Sequence, residues 1–280
     1  DRFMNPERII IGSKDPQARI SKALDLFLNF FTCQIFHMSF ESAELTKAAI
    51  NLYLANSVAF ANTLSDYCEQ VGANINEIIP ALQTDKRIGP FSYIRPSLRV
   101  AGGHLERDLL MLQRLARKTH ISSGIVGSII KSNATRYLWC QKQLNKYLHI
   151  KNRKPMIAIW GLSYKKDTDS TNNAASVLII KDLSESASIN VYDPMAILPK
   201  SIQEYQRFKD KYQAVKDADC LLILTPWEEF KNINLQRLKS FMKGNLIIDT
   251  TGITNTKDLS KEFKTISIGV GQDFDNQVKA

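Results

Sequence analysis

Four short apolar runs alternate with helix-like segments in the second half of the chain. The runs are MIAIW at 156–160, INVYDP at 189–194, CLLILT at 220–225 and NLIIDT at 245–250. Apolar runs of this length are typical of buried strands, and the segments between them are long enough for crossover helices. The alternation therefore predicts a parallel, doubly wound sheet.

The loops after these runs are the places where we expect a ligand. In doubly wound sheets, ligands bind outside the carboxyl ends of the strands. The corresponding loops are GLSYKK at 161–166, DPMA at 193–196, TPWEEF at 225–230 and DTTG at 249–252.

The first half of the chain is mainly helical in pattern. Residues 42–72 carry apolar side chains at helical spacing with no Pro or Gly before Gly72, which predicts one long helix that ends there. Two or three further helices are predicted over 75–83 and 105–147. The stretch 84–103 between them holds several glycines and prolines and is predicted to be irregular.

Two shorter patterns precede the long helix. Helical spacing runs from about Asp15 to Phe31, and CQIFHMSF at 33–40 alternates in the manner of a strand. They predict a helix followed by a strand at the start of the chain.

Composition narrows the class of protein. A chain of 280 residues with 44% hydrophobic content is long enough for two packed units. Its longest apolar runs are shorter than the roughly 20 residues that cross a bilayer, so we expect no membrane partner. The four cysteines show no CxxC pair and no secretory signal is present, so we expect a cytoplasmic protein. The net charge of +9 is spread among interspersed acids, and no nucleic-acid-binding motif is present, so we expect no nucleic-acid partner.

The stretch RVAGGHLERD at 99–108 combines a glycine pair with ionisable side chains. His104, Glu106 and Asp108 are residue types that serve acid–base chemistry or bind metals, and they could also be the remnant of an altered site. Because this triplet lacks a second His or Cys and the usual ligand spacing, we expect no metal.

Motifs along nearly the whole chain resemble those of the UDP-glucose/GDP-mannose dehydrogenases. Proteins of this family oxidise the C6 alcohol of a nucleotide sugar to a carboxylate with two NAD. The motifs occur in the family's order and are NPERIIIG, SAELTKAAINLYLA, DKRIG, GG…D, GLSYKKDTD, VYDP, TPWEEF and LIIDT. The resemblance implies an α/β protein with a mainly α-helical central dimerisation domain and a Rossmann-like, doubly wound parallel-sheet C-terminal domain.

The resemblance also implies a domain organisation. Residues 1–40 correspond to a remnant of the N-terminal NAD-binding domain, 41–150 to the helical central dimerisation domain and 151–280 to the C-terminal UDP-sugar-binding α/β domain. A homodimer through helix 42–72 is implied, with a UDP-sugar as substrate. NAD is the cofactor that the family implies, although most of its binding domain is absent from this sequence.

Several catalytic roles follow from the resemblance, position by position. Lys47 and Asn51 in SAELTKAAIN match the family's catalytic Lys and Asn, and their i, i+4 spacing places both on one helix face. Asp108 matches an Asp that assists water. Arg87 in DKRIG matches an Arg that reaches the sugar nucleotide across the dimer.

Binding roles are implied at four other positions. Lys165 in GLSYKK matches a substrate-contacting Lys, and Tyr164 lies beside it. We assign Tyr93 to substrate binding as well. Arg107 replaces a Lys of the family's loop, and we assign it to cofactor binding.

The chain departs from the family where the chemistry is most demanding. The family's loop reads approximately GFGGSCFPKD, and His104 occupies the position of its nucleophilic Cys, or Leu105 does if the alignment has a one-residue gap. An imidazole cannot form the thiohemiacetal and thioester that the second oxidation uses. Asn172 and Thr251 also replace two arginines that the family associates with NAD and substrate.

Three functions stay open at this point. The first is an NAD-dependent UDP-sugar 6-dehydrogenase for polysaccharide biosynthesis that is diverged or impaired because the Cys is absent. The second is a catalytically inactive nucleotide-sugar-binding and dimerisation module. The missing Cys and the missing NAD domain favour this second function for the sequence given. The third is a limited oxidation that stops at the aldehyde, with His104 as the base.

Overall fold

Residues 4–271 are described by the structure, which is a computed structural model. The chain divides into two units, one that ends at Tyr53 and one that begins at Leu54. The three-domain division implied by the motifs stays a prediction. Its outermost residues, 1–3 and 272–280, lie outside the described part of the chain.

The first unit contains a small parallel sheet. Its elements are β1 (Arg8–Ser13), α1 (Lys22–Leu28) and β2 (Gln34–Ser39), and the two strands pair in parallel. The predicted strand at 33–40 is confirmed. The predicted helix from about 15 to 31 is too long, because the Asp15 carboxylate accepts a hydrogen bond from Gln17 N (3.0 Å) in a local turn that competes with a helix.

The long helix is confirmed as α2, Phe40–Val71, which spans 32 residues. Gly72 follows it with a φ of 74°, a conformation that glycine adopts without a steric penalty. Ala73 N then donates to Cys68 O (2.9 Å), the hydrogen bond typical of a Schellman helix end.

Four further helices lie between α2 and the first strand of the main sheet, instead of the predicted two or three. The segment predicted as 105–147 is first interrupted after Lys118, because His120 has a left-handed backbone conformation (φ 56°) that the interior of an α-helix does not contain. The four are α3 (Ile75–Thr84), α4 (Gly103–Lys118), α5 (Gly124–Thr135) and α6 (Leu138–Tyr147).

Six parallel strands form the main sheet, in the order β5-β4-β3-β6-β7-β8. The fold class predicted from the sequence is therefore confirmed. All four predicted strands are present, while β5 and β8 were not predicted. The strands are β3 (Met156–Trp160), β4 (Ser188–Tyr192), β5 (Gln206–Arg207), β6 (Cys220–Ile223), β7 (Leu246–Asp249) and β8 (Lys264–Ser267).

Short helices connect these strands and cover the sheet. They are α7 (Ala175–Leu183), α8 (Lys211–Ala214), α9 (Leu235–Phe241) and α10 (Thr256–Leu259). The helical stretch predicted to end near Val215 is reduced to the four residues of α8.

Alternating side chains of the strands build a core on each face of the sheet. Ile157 and Ile159 of β3 belong to a cluster that includes Trp139 and Leu144 of α6. Trp160 of β3 belongs to the cluster on the other face. Helix α6 therefore shares a core with the sheet. Among the helices of residues 4–271, none combines the length and the apolar character needed to cross a membrane.

The strand order determines where a crevice forms. From β3 the chain continues outward to β4 and β5, and it then returns to the other side of β3 as β6. At the carboxyl end of β3 the chain leaves toward β4, and at the carboxyl end of β6 it leaves in the opposite direction, toward β7. A gap therefore opens between these two strand ends. Such a topological switch point is the usual ligand position in open α/β sheets.

Candidate functional site

A cavity of about 690 Å³ lies at the carboxyl edge of the sheet. This volume is within the range typical of small-molecule sites. One set of lining residues lies at or just after the carboxyl ends of four adjacent strands, β3, β6, β7 and β8. A second set belongs to α3 and to the segment 93–101. The strand-end residues are Ser163, Tyr164 and Lys165 after β3, Leu224 and Pro226 after β6, Thr250, Thr251, Gly252 and Thr254 after β7, and Ser267, Ile268 and Val270 at the end of β8.

The cavity is elongated along the sheet edge. Its wall passes from β3 through β6 and β7 to β8, which is three steps between neighbouring strands. At about 4.8 Å a step, the two ends are about 14 Å apart. An extended ligand fits this shape better than a compact one.

The charged side chains of the wall are all cationic. Arg95, Arg99 and Lys165 line the cavity, and no Asp or Glu of the described chain does. Arg99 is paired with Glu106 (Nη2–Oε1 3.0 Å), so part of its charge is offset. A concave surface with this excess of positive charge attracts anionic ligands.

Hydrogen bonds fix the loop that follows β3. Gly161 has a φ of 94°, and its N–H donates to Tyr192 O (2.8 Å). The buried Asp193 carboxylate accepts a hydrogen bond from Ser163 N (3.2 Å), while the Thr225 hydroxyl donates to Ser163 O (2.6 Å). The loop therefore presents the next two side chains, Tyr and Lys, from a fixed backbone.

Those two side chains lie together in the wall. Lys165 Nζ is 5.5 Å from the centre of the Tyr164 ring, within the range of a cation–π contact. Tyr93 lines the same cavity, so the structure brings together three of the four residues predicted to bind substrate. That they bind substrate stays a prediction.

Arg87, the fourth, lies outside the cavity wall. Its side chain is 89% exposed and paired with Asp85 (2.6 Å). Hydrogen bonds from Arg87 lower the pKa of Asp85, and the carboxylate in turn raises the pKa of Arg87. The predicted role of Arg87 in a partner subunit's site stays a prediction.

The glycine pair of RVAGGHLERD begins α4 and packs closely against the loop after β3. Gly102 has a φ of 91°, and a Cβ there would lie 3.0 Å from Cε2 of Tyr164. A Cβ on Gly103 would lie 3.3 Å from Nδ2 of Asn172. The two glycines thus let the start of α4 approach the loop after β3.

The ionisable residues that follow the pair do not line the cavity. His104 is exposed, and Arg107 donates from Nε to Oδ1 of the buried Asp108 (3.3 Å). Within residues 4–271, no group of three His, Cys, Asp or Glu could hold a metal ion. The catalytic and cofactor roles assigned to these residues stay predictions.

Lys47 and Asn51 lie on α2 in the first unit. The side chain of Lys47 is exposed and that of Asn51 is buried. Their shared helix face follows from the i, i+4 spacing, and their catalytic roles stay predictions.

Thiols do not line the cavity in the described chain. Cys68, Cys140 and Cys220 are buried, and desolvation raises the pKa of each. Buried thiols with a raised pKa are poor nucleophiles, because the thiolate is the reactive form. Cys33 lies between α1 and β2. None of the four can replace the missing thiol of the 99–108 loop from the cavity wall.

Sequence analysis missed the β8 end of the cavity. Ser267 lies at the end of a strand that was not predicted, and Asn74 and Asn76 lie at the start of α3. The only local signal was the N-capping pattern of Asn74, whose side chain accepts a hydrogen bond from Asn76 N (3.0 Å).

Two family models match this chain. The central domain of the UDP-glucose/GDP-mannose dehydrogenase family matches residues 41–135, and the UDP-binding domain of the same family matches 158–256. The chain belongs to the UDP-glucose/GDP-mannose dehydrogenase family. The cavity walls come from both matched regions, since α3 lies in the first and the loop after β3 in the second.

Relatives within the family cover most of this chain. The UDP-glucose 6-dehydrogenase of Rhizobium meliloti is 29% identical over 276 residues, which is 95% of this chain and 62% of that protein. TuaD, a UDP-glucose 6-dehydrogenase of Bacillus subtilis, is 28% identical over 261 residues, 91% of this chain and 56% of that protein. This chain therefore spans less than two thirds of the length of these relatives.

The fold agrees with a solved structure of the family. The UDP-glucose dehydrogenase from the hyperthermophilic archaeon Pyrobaculum islandicum aligns with a TM-score of 0.81 at 22% identity. The alignment covers 97% of this chain and 60% of that protein. At this identity the agreement concerns the fold alone.

The 280 residues of this sequence do not provide a binding site that fits NAD, the family's cofactor. Rossmann dinucleotide sites hold the pyrophosphate on a glycine-rich G-x-G-x-x-G turn, and the 280 residues contain no such turn. Arg107, the residue assigned to cofactor binding, is exposed and paired with Asp108.

Proposed function

We propose that this protein binds a UDP-sugar in the cavity at the carboxyl edge of the main sheet. The observation that carries the proposal is an elongated cavity whose charged lining residues are all cationic. Lys165 and the arginines offer charge-assisted hydrogen bonds to a diphosphate. The neutral hydroxyl and amide groups of the wall complement a sugar and a nucleoside.

Oxidation by the whole protein is a separate part of the proposal. The family oxidises the C6 alcohol of a UDP-hexose, and we place this protein in polysaccharide biosynthesis in the cytoplasm on that ground. Its second oxidation requires a thiolate, which would add to the aldehyde carbon to give a thiohemiacetal; loss of a hydride from that carbon to NAD would leave a thioester. Because the 99–108 loop has no cysteine at the position of the family's nucleophile, we expect nucleotide-sugar binding without formation of the carboxylate.

UDP binding to the full chain tests the cavity. Lys165→Ala is expected to weaken UDP binding about 10- to 100-fold in calorimetric titration, because a charge-assisted hydrogen bond to phosphate is lost. Lys166→Ala is the matched control, since Lys166 is the adjacent exposed lysine outside the wall. The proposal fails if UDP does not bind, or if the two variants weaken binding equally.

Reduction of NAD at 340 nm with UDP-glucose tests the chemistry. We expect no UDP-glucuronate from the protein under conditions in which UDP binds. Carboxylate formation would show that the second oxidation proceeds without a thiol in the 99–108 loop, and it would make His104→Ala the next variant to assay.

We further propose that the protein forms a homodimer through α2. Phe60, Tyr67 and Val71 are 48%, 65% and 66% exposed, and their spacing places them on one face of the helix. Ala61, Ser65 and Cys68, roughly 80–140° around the helix from Phe60, are buried. An exposed apolar stripe on a long helix suits an isologous two-fold interface, in which each copy presents the same surface.

A charge within this stripe is expected to separate the subunits. Phe60→Glu would place two carboxylates in a desolvated two-fold interface and convert the dimer to a monomer at micromolar concentration in sedimentation experiments. Gln70→Glu adds the same charge at an exposed position outside the stripe, about 80° around the helix from Phe60, and is expected to leave the dimer intact. A wild-type protein that sediments as a monomer would contradict the proposal.

A further inference from the structure

Ser267 has a buried hydroxyl that nothing in the described chain satisfies. The residue ends β8, is 6% exposed and lines the cavity. Its Oγ has no hydrogen-bond partner among residues 4–271. A buried hydroxyl without a partner costs free energy, and native proteins retain few of them. A bound ligand would supply the missing partner once rotation about χ1 turns Oγ into the cavity.

The β8 end of the cavity is built from neutral groups. Ile75 N donates to Gly269 O (2.9 Å) and Gly271 N donates to Ala73 O (2.8 Å), so the start of α3 is held against the end of β8. The segments 73–76 and 267–270 contain no ionisable side chain. Ser267 therefore lies among amide, hydroxyl and apolar groups.

A carboxylate lies directly behind this end of the wall. Glu69 Oε1 accepts a hydrogen bond from Gly269 N (2.8 Å), and burial raises the pKa of Glu69. The segments 73–76 and 267–270 offer no cation that could pair with a phosphate. Lys165 lies at the opposite end, after β3, about three strand steps or 14 Å away.

We propose that Ser267 is a specificity-determining residue that hydrogen-bonds to the nucleoside part of the bound nucleotide sugar. The diphosphate then lies toward Lys165, and a polar group of the base or ribose lies toward β8. This inference rests on the proposed binding function, and it adds an orientation for the ligand and a contact residue.

Ser267→Ala separates a ligand contact from a structural role. In the absence of ligand the variant should be as stable as the wild type or more stable, because an unpartnered polar group is removed. UDP affinity should fall about 3- to 10-fold, the effect of losing one neutral hydrogen bond. Ser92→Ala is the matched control, since Ser92 Oγ is also buried and unpartnered but lies outside the cavity wall. It should leave UDP affinity unchanged.

Salt dependence tests the orientation. Salt screens the contact of a phosphate with Lys165 but has little effect on a neutral hydrogen bond. Titrations with UDP at 50 mM and 500 mM NaCl should therefore show the wild-type salt dependence in Ser267→Ala and a weaker one in Lys165→Ala.

The possible outcomes distinguish failure of the proposed UDP-sugar binding from failure of the role of Ser267. If the wild type does not bind UDP, the proposed function fails, and the role of Ser267 fails with it. If the wild type binds UDP and Ser267→Ala binds equally well, only the inference about Ser267 fails. The inference also fails if Ser267→Ala unfolds, or if it weakens the salt dependence as Lys165→Ala does.

Discussion

Gly161→Ala is expected to lower the free energy of unfolding by roughly 2–5 kcal/mol. Gly161 follows β3 with a φ of 94°, and a Cβ there would lie 2.5 Å from the Cβ of Thr225 and 2.6 Å from its backbone nitrogen. Relief would require the chain after β6 to move, because the clash involves backbone as well as side chain. Two costs therefore combine at this position: the strain of a left-handed backbone conformation for alanine, and the steric overlap of its Cβ with Thr225.

Gly89→Ala isolates the contribution of the strain. Gly89 has a comparable φ of 82°, and a Cβ there would meet nothing within 4 Å. We expect its stability loss to stay near 1–2 kcal/mol, the cost of the left-handed conformation alone. Urea unfolding of both variants measures the difference. Equal losses would show that the backbone after β6 adapts to the extra methyl group.

Within the main sheet, the two strands that sequence analysis missed are its edges. Among residues 4–271, β5 and β8 each pair with one neighbouring strand, whereas β3, β4, β6 and β7 each lie between two. An interior strand of a covered parallel sheet needs apolar side chains on both faces, and that need produces the runs that are visible in the sequence. An edge strand such as QR at 206–207 or KTIS at 264–267 has no such need.

The local sequence pattern was sufficient to predict part of the cavity wall. The loops GLSYKK and DTTG were predicted from their positions after apolar runs, and both contribute to the wall. The contribution of α3 depends on hydrogen bonds between residues nearly 200 positions apart, such as Ile75 N to Gly269 O. Hydrophobic periodicity carries no information about such pairs.

The loop DPMA shows the opposite case, a strand-end motif with a structural role. None of its four residues lines the cavity. Asp193 is 2% exposed, and its carboxylate joins three loops at the sheet edge. It accepts hydrogen bonds from Leu162 N (2.6 Å), Ser163 N (3.2 Å), Trp227 Nε1 (3.1 Å), Met195 N (2.9 Å) and Ala196 N (2.6 Å).

Removal of this carboxylate is the second large effect that we expect. Asp193→Ala should lower the free energy of unfolding by roughly 3–5 kcal/mol, because several buried N–H groups lose a charged acceptor together. Asp210→Ala is the control. Asp210 is partly exposed and caps α8 by accepting from Gln213 N (2.9 Å), so its loss should cost about 1 kcal/mol.

The same variant tests how the binding loop is held in position. Asp193 anchors the two residues that precede Tyr164 and Lys165, so UDP affinity of folded Asp193→Ala should fall more than tenfold. Asp193→Asn retains one acceptor oxygen, and we expect it to lose less stability and less affinity. If stability falls while UDP affinity is retained, the hydrogen bond from the Thr225 hydroxyl to Ser163 O is sufficient to position the loop. Asp193 would then stabilise the sheet edge without contributing to the site.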